Sequence, residues 1–129
     1  MKTKNFIFSV IILLVATLNL SAQTVKQMNS VEIQQVLQKN KKIIILDVRT
    51  PGEFAAGHLK NAINIDIYQQ DFYSNIDKLD KTKTYMVYCR TNRRSGVTSQ
   101  YMKEKGFSIV YQMMDGFPGW AANNLPYEK

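Results

Sequence analysis

The chain has 129 residues, of which 45% are hydrophobic and 21% charged, with a formal net charge of +7, one cysteine and one histidine. That length allows one small domain, a lone cysteine excludes an internal disulfide, and one cysteine with one histidine speaks against a metal site. The positive charges are scattered and do not alternate with aromatic residues, so nucleic acid is not an expected partner.

Residues 1–22 open with Lys2 and Lys4, continue through an apolar run from Phe6 to Leu18, and end on Ser21-Ala22. Basic start, apolar centre and small residues at the end describe a secretory signal peptide. The run is short for a membrane span, which takes ~20 residues. Cleavage after Ala22 leaves a single domain over residues 23–129 with no membrane span. Removing Lys2 and Lys4 lowers the net charge from +7 to +5. The expected location is outside the cytoplasm, most simply the periplasm, and the default state is a monomer.

Val25 to Met28 reads as a short edge strand. Asn29 and Glu32 have capping-box spacing, so a helix is expected over 30–39, ended by Asn40-Lys41-Lys42. Ile43-Ile44-Ile45-Leu46 is apolar at every position, as a central parallel strand is. Thr50 and Pro51 then start a short helix that Gly57 ends. Ala62 to Ile65 is a third strand. Ile67, Phe72, Ile76 and Leu79 suggest an amphipathic helix over 68–79. Tyr85 to Tyr88 is another buried strand, followed by a helix over 94–105 closed by Gly106. Phe107 to Gln112 is the last strand, and 115–120 is a turn into a short terminal helix. Strands alternating with helices imply an open α/β fold, a parallel sheet with helices on both faces. Its site is expected at the carboxyl ends of the strands, where Asp47, Cys89 and Asp115 all fall.

The stretch Cys89-Arg90-Thr91-Asn92-Arg93-Arg94-Ser95-Gly96 joins a strand to a helix start. Backbone N–H groups converge at such a junction, and the helix dipole adds positive potential. A thiol there is well placed to act as a thiolate. Retaining an unneeded cysteine in an exported protein would invite oxidation, which favours a functional Cys89.

Three segments together resemble one family. Asp47-Val48-Arg49-Thr50-Pro51-Gly52-Glu53-Phe54-Ala55-Ala56-Gly57-His58-Leu59 is similar to the first rhodanese motif. Residues 89–96 resemble the rhodanese active-site loop, and Asp115-Gly116-Phe117-Pro118-Gly119-Trp120 resembles the C-terminal motif. The match spans residues 25–129. It implies a rhodanese-like fold with a central five-stranded parallel sheet. It also implies sulfur transfer by double displacement. Cys89 takes sulfane sulfur from thiosulfate, a polysulfide or a persulfide, becomes a persulfide, and yields it to a thiol or cyanide. No cofactor is implied beyond that covalent intermediate.

Residue by residue, Arg90, Thr91, Asn92, Arg93, Arg94, Ser95 and Arg49 are the candidate substrate-binding set, with Cys89 the catalytic residue. Arg90 and Arg94 suit a dianionic donor, because guanidinium forks pair with oxyanions. Arg93 suits solvent. Ser95 is expected to cap the helix, with donation to the sulfur as a second role. Many family loops carry glycine where this chain has Asn92, so a left-handed backbone is expected there. Asp47, Glu53 and His58 are read as structural supports. Arg49 is open to substrate binding or to an ion pair with Glu53. Trp120 and Phe117 are read as core, and Met113 and Met114 as either pocket rim or packing. Two other functions share this scaffold. Rhodanese-like phosphatases and arsenate reductases have a loop one residue longer, whereas here Arg94 follows Cys89 after four residues (90–93). Catalytically silent binding modules usually lack the cysteine.

Overall fold

The computed structural model describes residues 23–129; the expected signal peptide lies outside them. Strands β1 (Val25–Met28), β2 (Ile44–Asp47), β3 (Ile63–Asn64), β4 (Thr84–Tyr88) and β5 (Ile109–Met113) alternate with five helices. These are α1 (Ser30–Lys39), α2 (Pro51–Ala56), α3 (Phe72–Asp77), α4 (Arg93–Glu104) and α5 (Gly116–Ala122). The strands form one parallel sheet in the order β1-β5-β4-β2-β3. This is the five-stranded α/β architecture expected from the chain.

β4 lies at the centre, and its alternating side chains serve two cores. Tyr85, Val87 and then Cys89 join Phe72 and Ile76 of α3 and Met102 of α4 on one face. Met86 and Tyr88 join Ile33 of α1 and Trp120 of α5 on the other. Helices therefore cover both faces, and each fully buried large side chain contributes ~1.5–3 kcal/mol of apolar burial. The same alternation turns Cys89 toward α4 at the point where that helix begins.

Several boundaries differ from expectation. The helix expected over 68–79 shrinks to Phe72–Asp77, because Asp66 bends the chain first. Its carboxylate accepts the Tyr68 N–H at 2.9 Å and the Gln69 side-chain amide at 3.2 Å. β3 keeps two of its four expected residues. β5 starts two residues later than expected and runs one further, to Met113. Residues 116–120 are the first turns of α5 rather than a turn before it. α1 keeps its expected start, with Asn29 accepting the Glu32 N–H at 2.9 Å.

Candidate active site

The site is built outward from the ends of β2 and β4. Thr50 and Pro51 start α2 as expected, and Thr50 forms a full capping box with Glu53. The capping carboxylate is thereby fixed facing residue 94. Glu53 accepts both branches of the Arg94 guanidinium, at 2.7 and 2.9 Å. This ties α2 to the first turn of α4.

Arg94, hydrogen-bonded in this fork, holds the Glu53 carboxyl down to about 2 from its ordinary 4.5. The Arg94 cation is stabilised in return, first by that bond and in smaller part by the field of Cys89. The sign of the pH effect follows. A depressed carboxyl stabilises the fold above 4.5, and the contribution fades as pH falls toward 2. Both side chains are partly exposed, so the fork contributes about 1 kcal/mol. Urea midpoints of the wild type and Glu53→Gln should differ at neutral pH and converge on acidification through that window.

Asp47 and Arg49 form a second, buried pair. The guanidinium Nη2 lies 2.7 Å from Asp47 Oδ2 and also donates to the Gly57 carbonyl at 2.6 Å. Burial opposes the Arg49 charge, but Asp47 more than offsets it and the pKa is raised. Asp47 Oδ1 also accepts the Arg49 backbone N–H at 3.0 Å. Asn64 closes this turn by donating to the carbonyls of Asp47 and Arg49. Of the two roles left open for Arg49, the ion pair with Glu53 does not form: Arg49 pairs with Asp47, and Glu53 pairs with Arg94. Sequence neighbours fix the first; the second joins residues 41 apart.

Cys89 is fully buried. Its Sγ accepts the Ser95 backbone N–H at 3.4 Å and faces Ser95 Oγ at 3.5 Å. Ser95 does not cap α4: the N-cap position is Asn92, and Ser95 sits in the first turn. Asn92 is not left-handed either, with φ −139°. Its carbonyl accepts the Gly96 N–H at 2.8 Å as the first bond of the helix, which holds the residue at negative φ with ψ 0°. Thr91 Oγ1 accepts the Arg93 N–H at 3.4 Å. Arg90 and Arg93 are exposed, and neither has an ion-pair partner among the described residues.

His58 stacks on Phe54 at 3.7 Å and donates from Nδ1 to the Phe54 carbonyl at 2.8 Å. Its Nε2 lies 3.6 Å from Glu128. The ring fixes the end of α2 and the C-terminal residues, and it makes no bond to the sulfur. Trp120 is core as expected, and so is Met113. Phe117 is not simply core. It lies 4.5 Å from the Arg49 guanidinium and lines a cavity of about 250 Å³ with Arg49, Glu53 and Arg90. Met114 lines a different cavity, beside Gln112.

Two contributors take their roles only from the fold: Gly116, within the C-terminal motif, and Gln112, outside every motif. Gly116 adopts φ +63°, and a side chain there would run into the Arg90 carbonyl. The next residue, Phe117, donates its N–H to the Cys89 carbonyl at 2.9 Å. Gln112 of β5 reaches under the loop to Asn92 and Ser95. Both become visible only once the parallel sheet sets β5 beside β4.

The profile of the rhodanese-like domain matches residues 30–123. The chain is 32% identical over 99 residues to the thiosulfate sulfurtransferase GlpE of Coxiella burnetii, covering 77% of this chain and 90% of that protein. The crystal structure of a rhodanese-related protein from Thermoplasma volcanium superposes with a TM-score of 0.69 at 26% identity, covering 80% of this chain and 97% of that one. The solution structure of the polysulfide-sulfur transferase homodimer of Wolinella succinogenes gives 0.68 at 26% identity, covering 81% and 79%. A matched profile, a parallel sheet of the same kind and a cysteine loop braced by the two flanking motifs lead to one conclusion: the chain belongs to the rhodanese-like domain family.

Proposed function

We propose that the protein is a rhodanese-type sulfurtransferase that carries sulfane sulfur on Cys89. The observation that carries this reading is the company Sγ keeps. Its hydrogen-bonding neighbours are the Ser95 N–H and hydroxyl, with no histidine or carboxylate among them. Such surroundings suit an anionic sulfur and supply no general base.

The chemistry balances without a cofactor. The Cys89 thiolate attacks the outer sulfur of thiosulfate. The sulfur–sulfur bond of the donor breaks, and sulfite leaves with its electron pair. Cys89 is left as a persulfide anion. An acceptor thiolate or cyanide then attacks the terminal sulfur, and the Cys89 thiolate leaves with the pair from the broken bond. Because Cys89 is fully buried, a donor meets the sulfur only after a small movement of its side chain or of residues 90–95. Arg90, exposed at the rim of the 250 Å³ cavity and without an ion-pair partner among the described residues, is placed to draw in an anionic donor. Arg94 contributes its field while remaining bound to Glu53. The names of the relatives, thiosulfate sulfurtransferase and polysulfide-sulfur transferase, support the same class of substrate.

Occupation of Arg94 also weighs against phosphoryl transfer. A phosphatase loop wraps its arginine around the phosphate oxygens, and here both branches are on Glu53. The test is to supply thiosulfate and cyanide and follow thiocyanate, with an aryl phosphate in parallel. Thiocyanate release that disappears in Cys89→Ala, with no phosphate release, is expected. Rapid hydrolysis of the aryl phosphate would overturn the proposal.

A further inference from the structure

Gln112 is a polar side chain at the inner end of β5, only 3% exposed. Its amide is saturated in one orientation. Nε2 donates to the Asn92 carbonyl at 3.1 Å and to Ser95 Oγ at 3.5 Å. Oε1 accepts from Gln27 Nε2 at 3.4 Å, across the β1–β5 pair. Turning the amide over would set its oxygen against the Asn92 carbonyl, so the orientation is determined by chemistry. The contact also requires room at residue 96. A Cβ on Gly96 would sit 3.3 Å from Gln112 Nε2.

Donation from Gln112 occupies a lone pair of Ser95 Oγ. The hydroxyl proton is then free for another acceptor. Serines and threonines in helices usually give that proton to a carbonyl one turn back, as Thr98 does to Arg94 at 2.8 Å. Ser95 makes no such bond, and its other neighbour is the Cys89 sulfur at 3.5 Å. We infer that Gln112 is a positioning residue: it holds the Ser95 hydroxyl so that its proton faces the sulfur whenever Cys89 is a thiolate or a persulfide. The relay Gln27–Gln112–Ser95–Cys89 runs from the edge strand to the nucleophile. It also braces Asn92, the residue at which this loop departs from the glycine of many relatives. The inference rests on the reading of Cys89 as the nucleophile, but not on the identity of any donor.

The test is a double-mutant cycle on thiol reactivity. Cys89 is the only cysteine, so iodoacetamide reports on it alone. The wild type, Gln112→Met, Ser95→Ala and the double variant are compared at the pH where the wild type shows half its limiting rate. Arg94, the charged side chain whose field reaches Cys89, is the same in all four. Gln112→Met should slow alkylation about three- to tenfold in the wild-type background, the scale of one lost hydrogen bond. In the Ser95→Ala background only the brace on Asn92 is lost, so the slowing should be much smaller. Gln112→Glu keeps the shape but accepts the serine proton instead of donating, so it should slow the reaction at least as much. Equal slowing in both backgrounds, or a wild-type rate in Gln112→Glu, would overturn the relay. Either variant decides the matter if the other fails to fold. No sulfur donor is present, so a protein that accepts no sulfur yet shows the coupling loses the proposed function and keeps the relay.

Discussion

Gly116→Ala should lower stability by roughly 2–5 kcal/mol and slow sulfur loading about a hundredfold. Two costs add. Residue 116 has φ +63°, where a side chain costs about 1–2 kcal/mol. The new methyl group would also run into the Arg90 carbonyl and approach Thr91 N to 2.8 Å, so the loop or α5 must shift. Overpacking of that kind costs about 1–3 kcal/mol. The loop cannot give way without moving the nucleophile, because Phe117 N–H holds the Cys89 carbonyl at 2.9 Å. Gly106 supplies the control. It too is left-handed, at φ +86°, but a Cβ there would meet nothing within 4 Å. Gly106→Ala should therefore cost about 1–2 kcal/mol and leave the sulfur-loading rate unchanged. Urea unfolding and loading kinetics on the two variants separate backbone strain from collision with the loop.

Arg49→Met should be more damaging to stability than any change at the Arg94–Glu53 fork, costing about 3–5 kcal/mol. The difference lies in burial. Asp47 is fully buried and Arg49 is 4% exposed, so removing the guanidinium strands a carboxylate away from water. The Gly57 carbonyl also loses its donor, and Phe117 loses the cation beside its ring. A domain of this size commonly has ~5–15 kcal/mol in total, so the variant should sit near the edge of folding. Arg49→Lys keeps the charge but not the two-pronged geometry and should fall between the two. Urea midpoints order the three proteins. A Met variant as stable as Glu53→Gln would show that the buried pair is not what fixes the end of β2.

Much of this site was legible in the chain because its parts are local. The apolar run before Cys89 marks a strand, the arginines and the Ser-Gly pair mark a helix start, and Thr50-Pro51-Gly52-Glu53 is a helix start with its own cap. What escaped depends on distant residues meeting. From the chain alone, Arg49 was open to substrate binding or to a pair with Glu53. Folding instead gives Asp47 to Arg49, two residues away, and brings Arg94 to Glu53 across 41 residues. Ser95 looks like a cap because it is a serine near a helix start. The helix begins at Arg93, one residue earlier than expected, which puts Ser95 in its first turn with Oγ 3.5 Å from the sulfur. Asn92 looked like a stand-in for a left-handed glycine. Its carbonyl is held by Gly96 and Gln112, and that pairing keeps its φ negative. Gln112 looked like an ordinary strand residue, and only the β5–β4 pairing shows what its amide holds.

The central claim is that Cys89 carries sulfur covalently, and intact-protein mass spectrometry tests it most directly. After incubation with thiosulfate and desalting, the wild type should gain the mass of one sulfur atom, reversed by cyanide or by a thiol. Cys89→Ala should gain nothing, because the thiolate is the only side chain placed to accept it. The same trial with polysulfide identifies the better donor. A wild type unchanged in mass with both donors, or a Cys89→Ala protein that still takes up sulfur, would contradict the account.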